Sequence, residues 1–262
     1  MDVRNSTVAA AVAAILALVV GFAYGNLFGL EQIFELQKWQ ALIGAGVALL
    51  AAALAFFNTT RSLDHAAKLE DRRRSRKHAA VRAMLPLALS QILDYADRSA
   101  HRLNELVAIC QNDILLPMTA PENLPQNIPT ETLRVLAEFI EYSDIADVSG
   151  IEATVALIQI HHARIRALVA RNRDPSGTWI IRQEEIEARI VNAASIYAGA
   201  ASVFDYARQR QGHLTPDISW DAVRRALRNM QFWEDEYPRL EALIARRERT
   251  YVGPFDELRR IP

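Results

Sequence analysis

Residues 39–60 read WQALIGAGVALLAAALAFFNTT, without one charged side chain. A helix that spans a bilayer needs about 20 mainly apolar residues, so this stretch predicts a membrane span. Trp39 stands at its start, where an aromatic ring suits the headgroup level. Just beyond, residues 69–78 read LEDRRRSRKH, and five of the six positions from Arg72 to Lys77 are basic. The same test applied upstream finds residues 5–30 uncharged as well. Only EQIFELQK (31–38) separates the two stretches, which is long enough for a turn and little more. The expected anchor is therefore a helical hairpin with spans at about 7–30 and 39–60.

Small residues recur every fourth position in both stretches: Ala13, Ala17, Gly21 and Gly25, then Gly44, Ala48 and Ala52. Lipid offers little hydrophobic drive for pairing helices, so close backbone approach over small side chains supplies much of the packing. These positions are the expected membrane-packing seam. Flanking charge sets the orientation. Arg61, Lys68, Arg72, Arg73, Arg74, Arg76, Lys77 and Arg82 follow the second stretch, whereas the turn offers only Lys38. Basic flanks favour the cytoplasmic side. The reading is a two-span protein of a bacterial inner membrane, with its N-terminus and its C-terminal domain in the cytoplasm. A cleaved signal peptide is the alternative for VAAAVAAILALVVGFAYG (8–25), and it leaves the C-terminal domain on the same side.

The 262 residues carry a formal net charge of −1, so no global imbalance points to nucleic acid or to acidic substrates. From residue 83 onward, 20 basic residues face 25 acidic ones, which opposes a phosphate backbone. No nucleic-acid partner is expected. Cys110 is the sole cysteine and excludes an internal disulfide.

The rest of the chain reads as helices. Residues 61–85 lack proline and glycine and continue the second span as a basic juxtamembrane helix, with Pro86 expected to kink or restart it. Apolar spacing then carries a helix to about Leu116. Prolines 117, 121, 125 and 129 enforce an extended connection. Helices are expected from Thr130 to near Gly150, from Ile151 to Asn172, from Arg182 to Gln211, from Ser219 as cap to Trp233, and again after Pro238. The expected architecture is all-α: a hairpin in 1–60, the basic helix in 61–85, a cytoplasmic bundle in 86–250 and a frayed tail in 251–262. No strand pattern stands out.

Four segments carry a resemblance: LQKWQALIGAGVALLAAALAFFNTTR (36–61), AVRAMLPLALSQILDYA (80–96), IEARIVNAASIYAGAASVFDYAR (186–208) and SWDAVRRALRNMQFWEDEYPRLEALI (219–244). Together they are similar to a group of uncharacterised two-span bacterial membrane proteins with a cytoplasmic helical domain. The resemblance implies that architecture and transfers no activity and no catalytic residue.

Candidate chemistry is sparse. His161 and His162 are adjacent, so on a helix they diverge by about 100° and cannot share a ligand. One is expected to pack inside and the other to face water. Asp94, Asp97, His101 and Glu105 share one helix face and could present a carboxylate–histidine cluster. Arg98 and Arg102 beside them favour a solvated stripe instead. No Glu-x-x-His pairing, glycine-rich phosphate loop or calcium loop occurs, and no cofactor or metal is expected. Trp220, Phe232, Trp233 and Tyr237, with Trp179 upstream, are expected mainly in the core, with an exposed interaction patch as the alternative.

The run Arg72, Arg73, Arg74, Arg76 and Lys77 acts first as an orientation signal. On an upright helix at ~1.5 Å per residue, Arg72 lies about 16 Å beyond Arg61, about two screening lengths of ~8 Å. Contact with lipid headgroups is then weak, and a solvated run is expected; a helix that tilts or bends over is the alternative, and it lets the run hold anionic lipid. The functional expectation is an integral membrane protein presenting a helical interaction or sensory module. Its expected partners are the bilayer and either a second copy or a cytoplasmic protein. An oligomeric pore or transport component, and a membrane-tethered enzyme using groups such as Asp205 or Tyr206, are the alternatives.

Overall fold

The computed structural model describes residues 36–121, 123–124, 127–128, 130–143, 145–176, 179–211, 213–214 and 217–259. Ala13, Ala17, Gly21 and Gly25 of the expected first span lie outside the described residues. The chain divides into two compact units, residues 1–70 and 71–262. The described residues form an all-α protein. Its helices are α1 (Leu36–Ala108), α2 (Thr130–Tyr142), α3 (Ile145–Asn172), α4 (Gln183–Ala207), α5 (Trp220–Asn229), α6 (Pro238–Glu248) and α7 (Pro254–Arg259). A short antiparallel ribbon joins β1 (Ile114–Leu115) to β2 (Ile181–Arg182).

In the first unit, α1 exposes Val47, Leu49, Leu50, Phe56, Phe57 and Leu63. Leu49 is 73% exposed and Phe56 68%. Among the described residues this is the one helix long and apolar enough to cross a membrane. Gly44, Ala48 and Ala52 are exposed too, and a Cβ built on Gly44 meets nothing within 4 Å.

In the second unit, α1 buries a stripe at coiled-coil spacing. Leu85, Ile92, Ser99 and Leu106 recur every seventh residue, as do Leu89, Ala96 and Leu103. That spacing keeps one seam turned to the core along the whole length. The helix is not interrupted at Pro86. The lost ladder bond is outweighed here by burial of Leu85, Ala88 and Leu89 on the flanking turn. Helix α4 forms the centre: Ile186, Ile190, Val191, Ala194, Ile196, Ala200 and Val203 bury nearly all of its faces. A helix apolar all round belongs in a core. Gly199 leaves room for its neighbours, since a Cβ there would lie 2.6 Å from Thr154 Oγ1 on α3 and 3.2 Å from the Phe255 ring on α7.

Several boundaries differ from expectation. Helix α1 ends at Ala108 rather than near Leu116. Gln111 and Ile114 exchange backbone bonds of 2.8 and 3.0 Å around Asn112 (φ 50°) and Asp113 (φ 62°). Positive φ at both central residues is the tight hairpin turn that asparagine and aspartate tolerate, and it launches β1. Gly150 does not end a helix; it is buried inside α3. The break comes earlier, where Ser143 N–H bonds to Phe139 O at 3.0 Å. Helix α4 closes before Gln211. Gln209 takes φ 60° and Arg210 N–H reaches back to Asp205 O, a Schellman-type end built without glycine at the left-handed position. The segment from Tyr251 is docked rather than frayed: Trp220 Nε1 donates to Tyr251 O at 3.0 Å, and Phe255 is 2% exposed. Ser219 caps α5 by accepting from Ala222 N–H, and Pro238 opens α6, both as expected.

Candidate functional site

The second unit holds a cleft of about 260 Å³. Three elements build it: the last turns of α1 with Asn104 and Val107, the start of α4 with Gln183, Glu187 and Ile190, and the turn into α6 with Glu236, Tyr237, Pro238, Arg239 and Leu240. Local chemistry places each part. Pro238 at the first helical position fixes the entry to α6 and sets Arg239 next to it. The ribbon brings β2 beside β1, and Gln183 N–H donates to Asp113 O at 2.8 Å, which fixes where α4 begins.

Glu187 anchors the site. It is 5% exposed, one turn into α4. A carboxylate so deep needs partners, and it has two. Gln183 Nε2 donates to its Oε1 at 2.8 Å, and Arg239 Nε lies 3.0 Å from the same oxygen. Arg239 also donates through Nη1 to Asp113 Oδ1 at 2.6 Å. That bond, together with Glu187, raises the guanidinium's pKa further above its ordinary value. Asn104 Nδ2 donates to the Tyr237 hydroxyl at 3.3 Å, and the Tyr237 ring packs on Phe232 at 5.0 Å. Beside the cleft, burial and then the charges of Glu187 and Asp113 push the Cys110 thiol up. The local field is negative.

A second polar layer is buried between α1 and α3. Ser99 Oγ and His161 Nε2 are 2.8 Å apart, and the Tyr95 ring meets His161 edge-on at 6.3 Å. Burial, then Arg189, His162 and Arg164, lower the His161 pKa to about 3. Burial pushes Tyr95 up to about 12. The imidazole is therefore neutral at ordinary pH. Tyr95 OH and His161 Nδ1 find no partner among the described residues, so no carboxylate orients the ring as a general base would require. His162 is half-buried. The adjacent pair thus splits into one inside residue and one at the edge.

The acidic stripe on α1 sits at the surface. His101 Nδ1 lies 3.5 Å from Asp97 and 3.0 Å from its backbone oxygen, while Glu105 pairs with Arg102 at 2.9 Å and Asp94 is exposed. No cluster of three metal-ligating side chains occurs among the described residues. Asp205 is exposed. Tyr206 is buried beneath Arg82, 3.8 Å from its ring, with His78 Nε2 3.3 Å from its hydroxyl. Arg82 also donates to Tyr206 O at 2.6 Å and Gln211 O at 3.0 Å, placing a cation on the open carbonyls that end α4.

The basic run divides. Arg74 donates to Ser143 O at 3.3 Å, and Lys77 donates to the Tyr142 hydroxyl at 2.8 Å with its ammonium 4.6 Å from that ring. Both lie over the C-terminal end of α2. Arg72, Arg73 and Arg76 are exposed, and their side chains make no hydrogen bond or ion pair with a described residue. Of the aromatics, Trp220 and Phe232 are buried and Tyr237 is half-buried, whereas Trp233 (46%) and Trp179 (53%) are exposed.

Sequence reasoning passed over Glu187 and Arg239. The one available signal was a carboxylate among Ile186, Ile190 and Val191 on an otherwise apolar helix. Comparison with protein-family models, with curated proteins and with solved structures finds no match for this chain.

Proposed function

We propose that this protein is anchored in a membrane by its N-terminal segment and presents the bundle of residues 71–259 as a cytoplasmic interaction or sensory module. The observation that carries this reading is the exposure of Val47, Leu49, Leu50, Phe56 and Phe57 on a helix with no charge from residue 39 to 60. Apolar surface left in water costs about 25 cal/mol per Å², and lipid removes that cost on every face of the helix at once. The two-span hairpin and its orientation rest on sequence: the second uncharged stretch at 5–30 and the arginine-rich flank after residue 60. The sensory half of the reading draws support from the cleft around Glu187, which joins apolar walls to a few convergent polar groups. The interaction half draws on exposed Trp179 and Trp233, since aromatic anchors dominate interface energetics.

Limited proteolysis of sealed vesicles tests the placement. In inverted inner-membrane vesicles the bundle is expected to be digested from outside, and in right-side-out spheroplasts to be protected until lysis. Digestion in intact spheroplasts would reverse the orientation.

A further inference from the structure

The Glu187 cleft has a charge that its own residues do not cancel. Among the described residues that line it, the carboxylates Glu187 and Glu236 accompany one cation, Arg239, which also donates to Asp113 beside the cleft. That guanidinium is engaged by two of the three carboxylates, which leaves it little to offer an anion. Glu236 is exposed, with no hydrogen bond or ion pair to its carboxylate from a described residue. Both contacts to Glu187 fall on Oε1, so its Oε2 is the acceptor left for a ligand. The remaining lining is apolar: Val107, Ile190, Pro238 and Leu240, with the Tyr237 ring. A dry cavity of about 150 Å³ holds one benzene. At about 260 Å³, this cleft has room for a ring with a short arm.

We propose that the cleft binds a small monocationic amine with an apolar body, its ammonium placed between Glu187 and Glu236 and its ring against Val107, Ile190 and Leu240. An ammonium supplies the donor that Glu187 Oε2 can accept and offsets the excess negative charge, while the apolar body displaces water from the walls. The site goes beyond the membrane-anchored module proposed above and would stand if that anchoring reading failed. Cys110 provides a built-in reporter. Its thiolate is disfavoured first by burial and then by the charges of Glu187 and Asp113, so a cation that offsets those charges promotes it and speeds its alkylation.

The test uses the full-length chain in detergent, with phenethylamine as probe, phenethyl alcohol as the neutral control and 3-phenylpropanoate as the anionic one. Titration calorimetry is paired with the rate of Cys110 alkylation by iodoacetamide. Phenethylamine is expected to bind saturably, roughly tenfold or more tighter than the alcohol, the span of one charge-assisted hydrogen bond, and to accelerate alkylation. The acid is expected not to bind. Glu187→Gln is expected to lower affinity by about tenfold or more. Glu236→Gln, which breaks no contact to a described residue, is expected to lower it about two- to threefold. Val107→Phe is expected to block the cleft. Absence of saturable binding to wild-type protein of native helicity would overturn the proposal. So would equal affinity for amine and alcohol, or binding that survives both Glu236→Gln and Val107→Phe unchanged.

Discussion

Residues 44–63 and residues 81–106 belong to the same helix and are both rich in apolar side chains, yet they live in opposite surroundings. Leu49 and Phe56 are mostly exposed, whereas Leu85, Leu103 and Ala96 are wholly buried. Their difference lies in pattern rather than hydropathy. From Gly44 to Phe57 the first stretch is apolar on every face, so a protein core on one side could not satisfy it. The second buries most of its apolar residues along one seam, leaving Met84 and Leu87 exposed, with Asp94, Asp97, Arg98 and Arg102 outside it. A seam calls for neighbouring helices, and a belt calls for an apolar solvent.

Substitutions can sharpen that contrast. The largest effect is expected in the seam. Leu103→Ala should cost the bundle about 2–5 kcal/mol through lost transfer energy and a cavity. Leu49→Ala, at an exposed position, should change bundle stability by no more than about 0.5 kcal/mol. Chemical denaturation followed by tryptophan fluorescence separates the two. Equal losses would mean that the two stretches do not differ as described.

A comparable effect, spread over several pH units, belongs to His161. His161 has its folded-state pKa lowered from 6.5 to about 3 by burial. Below pH 6.5 the unfolded chain takes up a proton that the folded chain refuses. Stability from this group is therefore complete above pH 6.5 and falls by about 1.4 kcal/mol per pH unit as pH drops toward 3. His161→Gln should flatten the slope between pH 6.5 and 4.5 without shifting the carboxylate-driven loss at lower pH. An unchanged slope would show that another group sets it.

Much of the fold was legible because its signals are local. The seam spacing on α1, the Ser219 cap and Pro238 at the head of α6 each depend on residues within a turn or two. Where a choice depended on distant contacts, the reading failed. Gly150 looked like a stop, but it is buried within α3, with Thr154 Oγ1 bonded back to its carbonyl at 2.8 Å. The segment from Tyr251 looked like a tail, but Phe255 packs beside Gly199, more than fifty residues away in the chain. The candidate site was less legible still. Glu187, Arg239 and Asp113 come from three separate elements, and no spacing within any one of them announces the others. The basic run shows both sides of this. Its charge was plain, but the settling of Arg74 and Lys77 on the end of α2 depends on a helix some sixty-five residues later.

The claim on which the rest turns is that residues 44–60 sit in lipid. It is tested most directly by single-cysteine labelling in native membranes, on a Cys110→Ser background. Leu50→Cys and Phe56→Cys are compared with Arg72→Cys for reaction with a charged, water-soluble maleimide. The expected result is rapid labelling at position 72, and none at positions 50 and 56 until detergent dissolves the bilayer. Labelling at 50 and 56 as fast as at 72 in intact membranes would contradict it.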